Sequence, residues 1–347
     1  MPGTDPVAPA PSDTTGRRAG RMGRGIAQAF AYAGHEVCLL DLKSRSDAEL
    51  EALRSQALGE IGGSLRALAE LGAFDAAALP SITGRIRLAG RDDAVAVLSG
   101  AALVFEAVPE VLETKREALG FASRHAAKDS LLASTTSTFL VTELAAFVAR
   151  PARFLNAHWL NPAYIIPLVE LSAHPGTDSA VLDTMKRALA AIGKVPVVCA
   201  AAPGYIVPRL QALIMNESAR MIEEGVATAE EIDKATRHGL GFRYAAMGVV
   251  EFIDYGGNDI LYHASRYLAQ TLGPRYEAPD IVKRYMQDGR IGLKAGRGFY
   301  DYSGIDEAAY RKDALARILA MLRHQGLLRP PVLDPSPPVR PGTAGAG

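Results

Sequence analysis

The 347-residue chain balances 38 Lys and Arg against 38 Asp and Glu, so it lacks the basic excess that nucleic acid or an anionic membrane demands of a main partner. It contains no run of about 18 apolar residues, which argues against a membrane-spanning helix. Its two cysteines, Cys38 and Cys199, sit in apolar runs, pointing to buried free thiols and a reducing compartment. The start of the chain shows no basic-then-apolar signal pattern, and a cytoplasmic location is expected.

Residues 1–18 are rich in Pro, Ala, Thr and Asp and read as a disordered or disrupted segment. A helix follows from Met22 to Ala33, closed by Gly34, and "HEVCLLDL" supplies a short apolar strand. The amphipathic stretch from Ser46 to Leu71 reads as two helices. "RIRLAG" and "ALVFEAV" are strands, the second buried and ending at Glu106, with a helix from Glu110 to His125. "SLLAST", "RFLNAHWL", "PLVELSA" and "VPVVCA" are further strands. Strands alternating with helices predict a largely parallel sheet wrapped by helices. The pattern changes at "AAPGYIVPRL". Beyond it the periodicity predicts only helices, over 205–225, 228–238, 249–272 and 279–287. The expected organisation is an α/β domain over 19–202, a helical domain over 203–328 that completes the substrate site and forms a dimer contact, and a disordered tail over 329–347.

"GRMGRGIAQAF" opens the first helix. A dinucleotide site of the Rossmann type needs a strand, a tight glycine turn and a helix N-terminus, so that backbone N–H groups and the helix dipole meet the pyrophosphate. Gly20 and Gly23 take the second and third glycine positions of GxGxxG with Met22 between them, and Asp41 ends the next strand, where a carboxylate would accept the ribose hydroxyls of NAD. Two features depart from the pattern. Arg18 stands at the first glycine, and "PSDTTGR" lacks the β-branched residues of a central strand. Residues 1–18 are therefore expected not to be the native start, through a shifted frame or misassigned start, unless "TTGRRA" pairs as a poor strand. The expected fold class is α/β, a Rossmann-type mainly parallel sheet followed by an all-helical C-terminal domain.

The stretch from Ser134 to Leu171 holds the groups that alcohol oxidation requires. His158 and Glu170 lie towards the ends of successive strand candidates, and carboxyl ends of strands are where such sheets bind ligands. A histidine held by a carboxylate is oriented for general base work near neutral pH. Ser137 and Asn161 can hydrogen-bond a substrate oxygen. Read singly, each has a plainer reading: a structural histidine, a surface ion pair, a turn residue or a helix cap. No metal site is expected.

"GRMGRGIAQAFAYAGHEVCLLD", "FEAVPEVLETK", "STTS", "HWLNP", "LVEL" and "KAGRGFYDY", in this order and spacing over about residues 19–302, resemble the NAD-dependent L-3-hydroxyacyl-CoA dehydrogenase family, which includes 3-hydroxybutyryl-CoA dehydrogenases of fatty acid metabolism. The resemblance implies a homodimer, NAD as cofactor, His158 as catalytic base with Glu170 as its partner, and Ser137 and Asn161 contacting the substrate or orienting that dyad. It also implies Glu110 and Lys115 at the NAD site, with Asp41 on the adenosine ribose. Residue by residue, three features depart from it: the loop at Arg18, Pro208 where acyl-CoA members carry a substrate-holding asparagine, and "GLGFRYAAMG". Arg243 in that last stretch resembles relatives that oxidise free 3-hydroxy acids, such as gulonate and carnitine dehydrogenases, where a guanidinium grips a carboxylate; a structural ion pair is the plainer reading. Residues 46–72 contain Arg54 and Arg66 among four glutamates and no lysine, a poor surface for CoA phosphates. Three functions follow from these features: a short-chain 3-hydroxyacyl-CoA dehydrogenase, a dehydrogenase of free 3-hydroxy acids, and a catalytically impaired or structural relative of the kind found among lens crystallins.

Overall fold

The computed structural model describes residues 20–331; the expected disordered ends, the unusual first strand and Arg18 lie outside the described residues. Two compact units divide within one helix, at residues 215 and 216.

The first unit begins with α1 (Arg21–Tyr32), β1 (Val37–Leu40), α2 (Asp47–Glu70), α3 (Leu79–Gly84), β2 (Ile86–Ala89), α4 (Ala94–Ser99), β3 (Leu103–Glu106) and α5 (Leu112–His125). It continues with β4 (Leu131–Ser134), α6 (Val141–Ala145), β5 (Phe154–Trp159), β6 (Leu168–Ala173), α7 (Ser179–Ala191) and β7 (Val195–Cys199). Strands β1 and β2 pair in parallel, and β3 to β7 form a second sheet in sequence order. Every pairing in that sheet is parallel except β5 with β6.

α1 covers both sheets. Ile26 and Ala29 pack with Ala133, Ala157 and Trp159, while Ala27 and Ala31 pack with Ile61, Leu65 and Ile86. Gly25 permits this closeness, because a Cβ there would stand 3.0 Å from the Ala163 Cβ. Among the described residues β1 pairs only with β2, and β3 only with β4. Leu40 and Val104, one from each of those strands, pack against the same buried cluster. The expectation of a buried β3 is corrected: Leu103, Val104 and Phe105 are half-buried, as is all of β1, whereas every residue of β4 and β5 is buried. A strand with a partner on one edge only keeps part of its surface open. Cys38 and Cys199 are free but half-buried rather than buried.

The stretch read as two helices is the single 24-residue α2. A capping box between Ser46 and Glu49 fixes its start, and Leu53, Ala57, Ile61 and Leu65 bury one continuous stripe. That burial outweighs the roughly 1 kcal/mol that each of Gly59, Gly62 and Gly63 costs a helix relative to alanine.

α8 (Val207–Glu223) carries the division between the units. The second unit follows with α9 (Ala229–Ala235), a π-helical stretch (Thr236–Gly241), α10 (Phe242–Ala246), α11 (Val249–Gly256), α12 (Asn258–Leu272), α13 (Asp280–Gln287) and α14 (Glu307–His324). The single helix read over 249–272 is two, broken at Gly257, whose φ of 112° lies in the left-handed half of backbone space that favours glycine. Near its end, "KAGRGFYDY" wraps the buried Asp254, whose carboxylate accepts the Phe299 and Tyr300 N–H groups at 3.0 and 2.8 Å. Among the described residues no helix is long and apolar enough to cross a membrane.

Candidate active site

His158 and Glu170 are cross-strand partners in the antiparallel β5–β6 pair. The structure corrects one expectation here. Glu170 is not near the end of its strand but in the first half of β6, because β6 runs opposite to β5 and brings that half beside the carboxyl end of β5. His158 Nδ1 stands 2.8 Å from Glu170 Oε2, with the carboxylate fully buried and the histidine 5% exposed. The second carboxylate oxygen accepts the backbone N–H groups of Ile206 and Val207, each at 2.8 Å. An ionised carboxylate can only accept, so Nδ1 is the donor to it, and in the neutral imidazole Nε2 then keeps its lone pair. Among the described residues Nε2 has no hydrogen-bond partner.

A second cluster forms where β3 and β4 end. The Glu106 carboxylate accepts from Ser134 Oγ at 2.5 Å, from Val108 N at 2.7 Å, and from Lys115 Nζ at 3.1 and 3.2 Å. Lys115, 1% exposed, also pairs with Glu110 at 3.1 Å. Glu110 is bound in turn by the Thr136 hydroxyl and by the Ser137 and Thr138 N–H groups at 3.1 and 3.0 Å. Burial acts to raise the Glu110 carboxyl, but the Thr136 hydroxyl and the Lys115 ammonium outweigh it and hold it below the ordinary carboxylate range. Glu110 thus fixes the "STTS" turn, and Lys115 fixes Glu110. The side chains of Ser137 and Asn161 are exposed and make no protein hydrogen bond among the described residues.

The glycine turn and the start of α1 fit a dinucleotide. α1 starts at Gly20 with no side-chain cap and no acidic residue in its first turn, which leaves first-turn N–H groups for an anion. Gly20 and Gly23 face Ala107 at the end of β3; a Cβ on Gly20 would stand 3.1 Å from the Ala107 carbonyl oxygen. Met22 packs partly buried against the core beneath. Asp41 follows β1 and is ion-paired with Arg45. Arg243 lies exposed in the second unit, its guanidinium carbon 4.4 Å from the centre of the Phe252 ring. The structural ion pair considered for it is absent among the described residues. Pro208 lies in the first turn of α8, where a backbone N–H is not needed.

Sequence reasoning missed Tyr205, whose ring stacks on that of His158, along with Asn156 and the buried role of Glu106. An acid closing β3 followed nine residues later by a lysine was a signal for the last of these; nothing local signalled the stack.

Residues 18–202 match the family model of the 3-hydroxyacyl-CoA dehydrogenase NAD binding domain, and residues 204–302 match that of the C-terminal domain. The chain is 29% identical to 5-formyl-3-hydroxy-2-methylpyridine 4-carboxylate 5-dehydrogenase of Mesorhizobium japonicum, over 88% of this chain and 95% of that one. It is 32% identical to 3-hydroxybutyryl-CoA dehydrogenase of Bradyrhizobium diazoefficiens, over 82% and 94%. The crystal structure of 3-hydroxyacyl-CoA dehydrogenase from Archaeoglobus fulgidus superimposes with a TM-score of 0.69 at 34% identity, covering 89% of this chain and 97% of that one. With both domain models matched in order across most of its length, the chain belongs to the 3-hydroxyacyl-CoA dehydrogenase family of NAD-dependent oxidoreductases.

Proposed function

We propose that the protein oxidises the 3-hydroxyl of a short-chain 3-hydroxyacyl-CoA, of the size of 3-hydroxybutyryl-CoA, to the 3-keto form. The observation that carries this reading is the buried pair of His158 and Glu170, with one imidazole nitrogen held at 2.8 Å and the other free. His158 Nε2 takes the hydroxyl proton, and Glu170 steadies the imidazolium that results. Ser137 and Asn161 orient the substrate oxygen. Gly20, Met22, Gly23 and Asp41 hold the dinucleotide, and Glu110, itself fixed by Lys115, shapes the turn beside it. Bound NAD+ supplies the acceptor for the C3 hydride. The similarity to 3-hydroxybutyryl-CoA dehydrogenase of Bradyrhizobium diazoefficiens supports the acyl-CoA substrate. A homodimer completes the reading, supported by exposed apolar side chains on the helices of the second unit, such as Ile260 and Tyr267.

A second reading, a free 3-hydroxy acid as substrate, is favoured by two observations. Arg243 is supported by an aromatic ring and has no carboxylate partner among the described residues. On α2, Arg54 pairs with Glu51, and Glu60 takes up Arg24 from α1, so this helix offers few cations to CoA phosphates. The relative from Mesorhizobium japonicum is named for a substrate that bears a free carboxylate. Turnover with acetoacetyl-CoA, measured beside 3-hydroxybutyrate, L-gulonate and L-carnitine, separates the two. The first reading predicts that acetoacetyl-CoA is preferred and that Arg243→Ala leaves its kcat/KM within about twofold. On the second, a free acid is preferred and Arg243→Ala lowers its kcat/KM by about 10- to 100-fold, the loss of one charge-assisted contact of roughly 1.5–3 kcal/mol. No turnover with any of them would count against both.

A further inference from the structure

We propose that Tyr205 is a positioning residue that fixes the plane of the His158 imidazole and so aims Nε2; the inference rests on reading His158 as the base. The two rings stack, with centroids 4.8 Å apart and planes 15° from parallel. The hydrogen bond from Nδ1 to Glu170 fixes one direction in the imidazole plane but leaves the ring free to pivot about it. A flat face against the imidazole removes that pivot.

Tyr205 is itself fixed at both ends. Its hydroxyl accepts from Asn156 Nδ2 at 3.0 Å and donates to the Thr136 carbonyl at 2.9 Å. Asn156 stands two residues before His158 on β5, so both side chains leave the same face of the strand. The phenol therefore lies across Asn156 and His158 and reaches the "STTS" turn that Glu110 holds. At its other end the backbone has φ of 44°, the single positive φ at a non-glycine residue among those described, just after Gly204 at 80°. That region is disfavoured for a residue with a Cβ and persists where the surroundings enforce it. The unusual turn presents the next two N–H groups to Glu170 Oε1. One tight turn thus grips the carboxylate with its backbone and the imidazole with its side chain. Burial and the carboxylates nearby push the Tyr205 phenol well above its ordinary range, so it stays protonated and remains a donor to Thr136.

The experiment compares Tyr205→Phe, Tyr205→Met and His158→Gln in the full chain, each assayed for kcat, for KM of both substrates and for melting temperature. Phenylalanine keeps the flat face and loses the tether, and kcat should fall by no more than about threefold. Methionine fills similar volume without a flat face; kcat should fall between about 10- and 100-fold, as expected of a slightly misplaced catalytic group, with both KM values within twofold. A purely structural role would instead lower the melting temperature and shift KM with kcat. Tyr205→Leu serves the same comparison if the methionine variant does not fold. A methionine or leucine variant with kcat within twofold of the parent, while His158→Gln is inactive, overturns the positioning role alone. An active His158→Gln overturns the base assignment and this inference with it.

Discussion

Replacing His158 with glutamine should lower kcat by about 10²- to 10⁴-fold, the range expected for loss of a general base. That corresponds to about 2.7–5.5 kcal/mol of barrier. Glutamine can keep a hydrogen bond to Glu170, so the cavity is filled and the carboxylate remains partnered, but its amide cannot take a proton. NADH affinity, measured by fluorescence titration, should change by less than about twofold, since the imidazole interacts with the carboxylate and Tyr205 rather than with the glycine turn. This split between chemistry and binding separates a base from a structural histidine. A structural histidine, once replaced, would loosen the β5–β6 pair and lower stability and cofactor binding together. A variant with near-normal kcat would remove the proposed role.

Replacing Lys115 with methionine should destabilise the first unit by roughly 3–5 kcal/mol, the usual consequence of removing one partner from a buried ion pair. Lys115 is 1% exposed and Glu106 is 5% exposed, so the carboxylate left behind would have no cation and little water. Ser134 Oγ and Val108 N would still donate to it, which keeps the loss from being larger. Denaturant midpoints of the unfolding curve measure it. The double replacement Lys115→Met with Glu106→Leu should recover part of the loss, because two apolar groups leave no buried charge behind. A single-variant loss below about 1 kcal/mol would mean that the ammonium is solvated and that the pair does not organise the ends of β3 and β4.

Much of the fold could be read from the chain because its strands are short apolar runs bounded by clear stops. All seven strands among the described residues were expected where they occur, and the change to helices was expected after Pro203. Other features depended on contacts that local sequence does not carry. The glycines of α2 suggested two helices, yet a buried stripe running through them held one. Gly257 looked tolerable within a helix and instead ended one. Strand direction has no periodic signature, so the antiparallel turn of β6, which sets Glu170 opposite His158, was not readable. α3, α4, α6, α7, α10 and α14 were not foreseen. At the site, both members of the dyad were legible as residue types, but only His158 lies near the end of its strand; Glu170 lies in the first half of β6. Lys115 was read as a residue of the cofactor site. Its burial depends on Glu106, nine residues earlier, closing β3 directly beneath it. Tyr205 depends on a contact across 47 residues, and Arg243 on a ring nine residues further along.

In the proposed reaction a carboxylate-held imidazole meets the reacting hydroxyl. The most direct measurement is a crystal structure of the chain with NADH and a 3-keto substrate, giving the distance from His158 Nε2 to the substrate's 3-oxygen. The expected separation is about 2.6–3.2 Å, hydrogen-bond reach for proton transfer, with the Glu170 contact to Nδ1 intact. A 3-oxygen bound beyond reach of the imidazole, with another side chain or only solvent beside it, would rule out His158 as the base.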